Sequence, residues 1–315
     1  MPLLKTSFSI LHNMFRLKDR IKDIGYRFLV DHYPRVIIDH RWKRDYGYSI
    51  DWNNPRDLNE KIQWLICYGD TSLWPILADK YLVRDYVKSK GLGHLLPELY
   101  GIWKNAKDID FDALPDRFVL KCNHDSGSTH IIDRSKGFDK SLIIENLNKH
   151  LEKKFGYNYC EPHYNRIEPL IIAQELLDSR QDTFSTQLVD YRIWCFNGEP
   201  YSIWVDYYSD SYKTTHQKFI CLYDLDWGFH PELASFSKLY QKGKNIVPRP
   251  RNLSEMINAA KLLSKGFPEA RIDFYIVDGR LYFGEITFTS NNGRITHYSN
   301  DYLIELGDQV KLPER

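Results

Sequence analysis

The sequence has no hydrophobic run long enough to cross a membrane. Its longest uncharged stretch, Thr6 to Phe15, falls well short of the ~20 apolar residues that a spanning helix needs. That stretch also makes a poor signal peptide, because no small-residue cleavage site follows and basic residues crowd in behind it. A cytoplasmic location is therefore expected. Neither sign of charge is in excess: 43 Lys and Arg against 42 Asp and Glu leave a formal charge of +1. A general nucleic-acid binder carries a clear basic surplus, so no nucleic-acid partner is expected, although a local basic pocket is compatible with this balance. Cysteine is sparse. Cys67, Cys122, Cys160, Cys195 and Cys221 show no CxxC spacing, which points to neither a disulfide framework nor a zinc cluster and leaves buried thiols in a reducing compartment as the expectation. No internal repeat or low-complexity tract is present.

What is there is the composition of a soluble globular protein, 43% hydrophobic and 27% charged over 315 residues, long enough for about two domains at ~150 residues each. Aromatics reach 15%, with 22 Tyr and 8 Trp, a feature common in carbohydrate-handling proteins without being diagnostic of them. Leu11 to Ile38 interleaves Phe15, Leu17, Ile21, Ile24, Phe28 and Leu29 with Arg16, Lys18, Arg20, Lys22 and Arg27. This predicts an amphipathic basic helix packed on its own domain, with an anionic membrane face as the alternative resting place.

Helical spacing continues through Leu58, Ile62 and Leu65 after Asn54-Pro55, and again from Leu77 to a stop at Gly91. The period then changes. Phe118 to Cys122 reads as a strand, Asn123 to Thr129 as a polar loop and Ile131-Ile132 as the returning strand. Leu142 to Phe155 reads as a helix, and Leu170 to Leu177 as an apolar strand. Asp190 to Phe196, the Asn197-Gly198 turn and Tyr201 to Val205 form a hairpin. Leu253 to Leu263 is helical, and Arg271 to Ile286 is a strand pair about Asp278-Gly279. Strands and helices alternate without a clean βαβ repeat, which favours an α+β fold with largely antiparallel sheets.

Four features carry chemistry. Lys121 ends a strand and runs into a Gly/Ser loop, whose N–H groups suit phosphate oxygens while the lysine supplies a point charge. The motif GxxxxGK[ST] is absent. Gln174 to Leu177 is an apolar strand end whose backbone can bond an adenine edge. Asp190 and Arg192 share one strand face, suited to a ribose hydroxyl and a phosphate. Arg271, Asp273 and Tyr275 share a face of one strand, and Glu285 and Thr287 share a face of the next. Two carboxylates on adjacent strands can bridge Mg²⁺ to phosphates. A regular two-residue Asp-Gly turn, however, pairs Asp273 with Gly284 and sends Glu285 to the opposite face. The metal reading therefore requires a three-residue loop or one β-bulge.

In order, Asp79-Lys80, Lys121 with its loop, Gln174-Glu175-Leu176-Leu177, Asp190-Tyr191-Arg192, Arg271-Ile272-Asp273 and Gly284-Glu285-Ile286-Thr287 resemble the ATP-grasp fold. The set is most similar to its TupA-like branch, named for teichuronopeptide synthesis and found among bacterial surface-polysaccharide genes. Leu58 to Leu65 and Asp190 to Gly198 also resemble that branch, and the likeness covers roughly residues 50–300. The resemblance implies ATP and Mg²⁺ as cofactors. Lys80 and Lys121 would hold the phosphates under the 123–129 loop, through Asn123, Ser126, Gly127 and Ser128. Gln174, Glu175 and Leu177 would form the adenine hinge, with Asp190 on the ribose. Asp273 and Glu285 would ligate Mg²⁺, and Arg192 and Arg271 would face the γ-phosphate and the substrate carboxylate. Thr287 stands where many ATP-grasp enzymes have Asn, so the third ligand is open between Thr287, Asn291 and Asn292.

The resemblance further implies a carboxylate–amine ligase acting through an acyl phosphate on a uronic acid of a capsular or cell-surface polysaccharide. It divides the chain into a mostly helical region 1–75, a first ATP-grasp subdomain 76–172 and a C-terminal subdomain 173–315. Homodimer formation and peripheral membrane contact are open. Three other readings stay open beside it. One is a glycosyltransferase, on the triplet Asp224-Leu225-Asp226. Another is an ATP-grasp kinase with His124 or His130 as base. The last is a nucleotide-sensing module without turnover.

Overall fold

Proline and aspartate punctuate the N-terminal part of the computed structural model, which describes residues 22–178, 184–209, 217–235 and 241–314. The single helix expected over Leu11–Ile38 lies partly outside the described residues, and within them it is broken. Residues 22–32 (α1) are helical, and a second helix, α2, runs Pro34–Tyr46. Pro34 lacks an N–H and pushes Tyr33 out of the helical region, to φ −138° and ψ 53°. Ile38 and Trp42 of α2 are buried, and the Tyr26 hydroxyl donates to the Tyr157 carbonyl at 2.6 Å, so this region packs on its own chain, with Ile24, Phe28 and Val36 left exposed. No helix among the described residues is long and apolar enough to cross a membrane.

Helix α3 (Leu58–Tyr68) starts at Asp57, whose carboxylate accepts the Glu60 N–H at 2.8 Å. The helix expected from Leu77 to Gly91 is instead two short helices, α4 (Trp74–Ala78) and α5 (Val83–Ser89). Asp79 makes the break. Its carboxylate accepts the N–H groups of Tyr81 and Leu82 at 2.7 and 3.2 Å, a local bonding pattern that competes with helix continuation.

A four-stranded sheet follows, built from β1 (Leu99–Trp103), β2 (Arg117–Cys122), β3 (His130–Asp133) and β4 (Ile171–Glu175) in the order β1-β4-β2-β3. Helix α6 (Lys140–Leu151), capped by Asp139, and the short helices α7 (Gly156–Tyr159) and α8 (Pro162–Asn165) lie between β3 and β4. The second sheet has six strands, ordered β10-β9-β5-β6-β7-β8. They are β5 (Asp190–Phe196), β6 (Glu199–Ser209), β7 (Gln217–Tyr223), β8 (Gln241–Lys242), β9 (Glu269–Val277) and β10 (Arg280–Thr287). Every pairing is antiparallel except β7–β8. Helices α9 (Leu253–Ser264) and α10 (Asn300–Gln309) complete the described chain.

Two cores result. The larger joins α2, α3 and α5 to the six-stranded sheet, α9 and α10, and the smaller lies between the four-stranded sheet and α6. The N-terminal helices are thus continuous with the second sheet's core rather than a separate body. The expected boundary between 172 and 173 falls inside β4, because Ala173 and Gln174 still pair with β1 and β2.

Candidate active site

The hairpin β9–β10 sets the site. Asp278 and Gly279 take φ values of +51° and +76°, the left-handed pair of a type I′ turn, which fixes a two-residue loop. Pairing runs regularly from Arg280↔Val277 to Phe283↔Phe274, then shifts so that Glu285 faces Asp273 and Gly284 is left over. This is a β-bulge, the condition the metal reading required. Only glycine fits there, since a Cβ on Gly284 would lie 2.9 Å from the Asp273 carbonyl and 3.0 Å from the Tyr275 ring.

The bulge gathers a polar face. Arg271 grips Asp273 with two hydrogen bonds of 2.7 Å and donates to Ser290 at 3.0 Å, Thr287 at 3.1 Å and Glu285 at 3.3 Å. Burial opposes the Arg271 charge, but the Asp273 carboxylate outweighs it and drives the pKa above the usual range. Arg192 lies across from Asp273 on β5. It donates to Asp273 at 3.2 Å, pairs with Asp190 at 3.0 Å and with Asp206, and stacks 4.6 Å from the Trp204 ring. Lys218 also reaches Asp206, at 2.5 Å.

The four-stranded sheet supplies the opposing wall. Lys121, half-buried at the end of β2, makes no hydrogen bond or ion pair among the described residues. Burial lowers its pKa to about 8, Lys80 adds to that, and Glu285 opposes it from the other sheet. Lys80 sits in the break between α4 and α5 and donates to the carbonyls of Asp125 at 2.7 Å and Asn123 at 3.4 Å. It therefore holds the 123–129 loop as well as facing the cleft.

Two cavities of about 190 and 260 Å³ open between these walls. They meet at Lys80, Lys121, Thr129 and Glu285, which line both. Gln174 and Leu177 line the first, with Arg84, Tyr275 and Gly284. Ser126, Gly127, Ser128, Arg271 and Thr287 line the second, with Glu161 and Tyr164.

Several expected site residues spend their side chains on protein partners. Asn123 is fully buried, and its side chain is committed to Asp79 at 2.9 Å, the Glu168 carbonyl at 3.0 Å and the Leu170 N–H at 2.7 Å, so it shapes the loop rather than facing the cleft. The Ser128 hydroxyl is held between the Cys122 N–H and Asp125, at 2.9 and 2.6 Å, and Asp125 is itself paired with His150. The Glu175 carboxylate accepts from the Glu98 N–H at 3.1 Å and the Tyr282 hydroxyl at 3.3 Å. Asp190, Arg192 and Asp273 lie outside both cavity linings. Asp190 is tied to Arg192, and Arg192 to the three carboxylates of Asp190, Asp206 and Asp273, so both side chains are held within this network on the six-stranded sheet. His124 Nε2 donates to the Lys153 carbonyl, 3.1 Å away, and His130 Nε2 to Asn146 Oδ1, 2.9 Å away; neither lines the cleft. Asp224 closes a turn by accepting the N–H groups of Asp226 and Gly228 at 2.9 and 2.6 Å, which accounts for the triplet without a metal.

No group of three His, Cys, Asp or Glu converges among the described residues. Mg²⁺ needs only one or two carboxylates when phosphates and water complete its shell. Asp273 facing Glu285, with the Glu285 side chain 46% exposed, fits a shared ion of that kind. The Asp273 carboxylate receives three arginine hydrogen bonds of the ~4 it can accept. The Thr287 hydroxyl lies 3.2 Å from Glu285. Asn291 instead faces His297 at 3.3 Å, and Asn292 faces Glu161.

Sequence reasoning missed Glu161, Tyr164, Arg84, Asp206 and Lys218. Glu161 stands in Cys160-Glu161-Pro162, between two four-residue helices with no periodicity to flag it. Asp206 and Lys218 become visible only when β6 and β7 pair beside Arg192.

The family model for TupA-like ATP-grasp matches residues 60–311. No curated protein matches the chain. Among solved structures the chain is similar to the D-alanine–D-alanine ligase of Bacillus anthracis complexed with ATP, at 15% identity over 75% of this chain and 65% of that one, with a TM-score of 0.41. It is similar to the ATP-grasp ligase PsnB complexed with a minimal precursor, at 14% identity over 77% and 63%, TM-score 0.41. It is also similar to the L-amino acid ligase of Bacillus licheniformis, at 13% identity over 69% and 41%, TM-score 0.36. The chain spans less than two thirds of the length of each of these three. With most of its length matched by the family model, from α3 through the hairpin to α10, the chain belongs to the TupA-like ATP-grasp family, and its two sheets facing one cleft are the ATP-grasp fold.

Proposed function

We propose that the protein is an ATP-dependent carboxylate–amine ligase. The observation that carries this reading is the meeting of Lys121 from one sheet, and Lys80 from the break between α4 and α5, with Glu285 from the other sheet in a single cleft, with Arg271 and Asp273 beside it. The substrate carboxylate attacks the γ-phosphorus of ATP, giving an acyl phosphate and ADP; an amine then displaces phosphate and leaves an amide. Lys80 and Lys121 neutralise phosphate oxygens, and Ser126 and Gly127 cover them with loop N–H groups. Gln174 and Leu177 flank the adenine, and Arg271 orients the γ-phosphate and the attacking carboxylate. Mg²⁺, held by Asp273 and Glu285 with the Thr287 hydroxyl alongside, would supply charge neutralisation at the phosphates. Arg192 acts through Asp273, which it holds in place together with Arg271.

The work of such a site is to align the reactants and stabilise developing charge. The carboxylate we propose is a uronic acid of a capsular or cell-surface polysaccharide, and the amine an amino acid, on the strength of family membership. The test is ADP release by the purified chain with Mg²⁺, ATP, a panel of uronic acids and a panel of amino acids. Release that requires both partners is expected. ATP hydrolysis that ignores the carboxylate, or phosphate retained on the product, contradicts the reading. Replacing Lys121 by Ala should cost ~10²–10³-fold in rate, and normal turnover by that variant would reject the assignment.

A further inference from the structure

Glu161 is the one carboxylate of the second cavity that no cation among the described residues accompanies. It is 2% exposed, yet it lines the cavity shared by Lys80, Lys121, Asp125, Arg271 and Glu285. Its partners are neutral. The Thr289 hydroxyl donates to Oε1. Asn292, with its amide turned so that Nδ2 faces the carboxylate, donates to Oε2 at 2.7 Å and to Oε1 at 3.3 Å. The placement is built from both sides. Cys160, at φ +65°, turns the chain between α7 and α8, and a Cβ on Gly156 would lie 2.3 Å from the Glu161 carbonyl. Asn291, Asn292 and Gly293 take three successive left-handed conformations, at φ +48°, +58° and +62°. Strain of this sort collects where a side chain must be aimed. Tyr164 and Phe155, whose rings meet edge-on at 5.3 Å, wall the same cavity.

A buried carboxylate needs a cation or a proton. Burial pushes Glu161 up to about 7, with the Thr289 hydrogen bond opposing, and Tyr164 beside it is pushed far above the ordinary phenol range, first by burial and then by Glu161. The cavity is otherwise rich in cations that suit phosphate, so an anion is the wrong ligand for Glu161 and an ammonium group the right one. Building on the ligase reading, we propose that Glu161 receives the ammonium group of the amine substrate and takes one of its protons.

The step balances as follows. R′–NH₃⁺ gives one proton to Glu161, and the freed nitrogen lone pair forms the N–C bond at the acyl carbon. The C–O bond to phosphate breaks, and the departing phosphate carries the second proton as HPO₄²⁻. Glu161 then returns its proton to water.

The experiment compares the wild type with Glu161→Gln in two assays, using Mg·ATP and whichever uronic acid supports ADP release. In one, hydroxylamine, already neutral near pH 7, traps the acyl phosphate as a hydroxamate; in the other, an amino acid is the acceptor. E161Q should keep hydroxamate formation within about threefold and lose amide formation by ~10²-fold or more, and Glu161→Asp should restore part of the amide rate. Retained hydroxamate formation also serves as the folding control. If E161Q forms amide at the wild-type rate, or loses both products alike while its melting temperature is intact, the inference falls and the ligase reading stands. If E161Q does not fold, Thr289→Val takes its place, with a rise in amine KM expected and an unchanged KM contradicting. If the wild type shows no carboxylate-dependent ADP release, the ligase reading falls and takes the inference with it.

Discussion

Lys121 meets two opposing demands. Phosphate binding wants its ammonium charged, whereas its position at the end of β2 removes that charge from water. In the folded chain it releases its proton near pH 8, against 10.5 for the ordinary side chain. Between those values the unfolded chain binds more protons, so stability rises with pH across the window and the cost of the charge is complete below pH 8. Lys121→Met should therefore raise the melting temperature without nucleotide at pH 7, an advantage that shrinks as pH climbs toward 10.5, while weakening ATP binding at least tenfold. In the wild type, the Kd for ATP should rise above pH 8. Glu161 runs the other way. Its pKa moves from 4.5 up to about 7 on folding, so the folded chain holds the extra proton and stability falls as pH rises through that window. Glu161→Gln removes this slope, and its melting advantage over wild type should grow from pH 4.5 to 7, by up to roughly 3 kcal/mol at ~1.4 kcal/mol per pKa unit. A flat difference between the two melting curves contradicts the assignment of a buried, uncompensated acid.

Among the elements, the hairpin β9–β10 and the broken helix α4–α5 matter most. Gly284 occupies the bulge that brings Glu285 opposite Asp273, and its neighbours leave no room for a side chain. Gly284→Val should raise the Mg²⁺ concentration for half-maximal activity at least tenfold. The hairpin was legible in advance because Asp278-Gly279 and the alternation of Arg271, Asp273 and Tyr275 leave two registers, and the chemistry selects the bulged one. The break at Asp79 was not legible. Helical spacing runs straight through it, and the Asn123 amide and the two N–H groups that Asp79 satisfies become its partners only in the folded chain. The same reason hides the inward turn of Asp190 and Arg192. Strand alternation gives their common face, but Asp206 and Lys218 complete the network from β6 and β7. Sequence pattern assigns faces and caps well, and it fails where a charge finds its partner across two strands.

For the whole molecule, the four-stranded sheet and the six-stranded sheet have separate cores, and the cleft between them is where a nucleotide would be held from both sides. Mg·ATP at about 100 times its Kd should stabilise the chain by ~2.7 kcal/mol, a rise of about 5 °C in melting temperature at this chain length. The central claim is that Lys121 and Glu285 grip one triphosphate from opposite sheets. Titration calorimetry with a non-hydrolysable ATP analogue and Mg²⁺ tests it on the wild type, Lys121→Met, Glu285→Gln and the double variant. The account predicts one site, at least tenfold weaker binding in each single variant, and a double variant weaker than wild type by less than the product of the two effects, because both groups act on the same phosphates. Wild-type affinity in either single variant, or two effects that multiply as if independent, would contradict it.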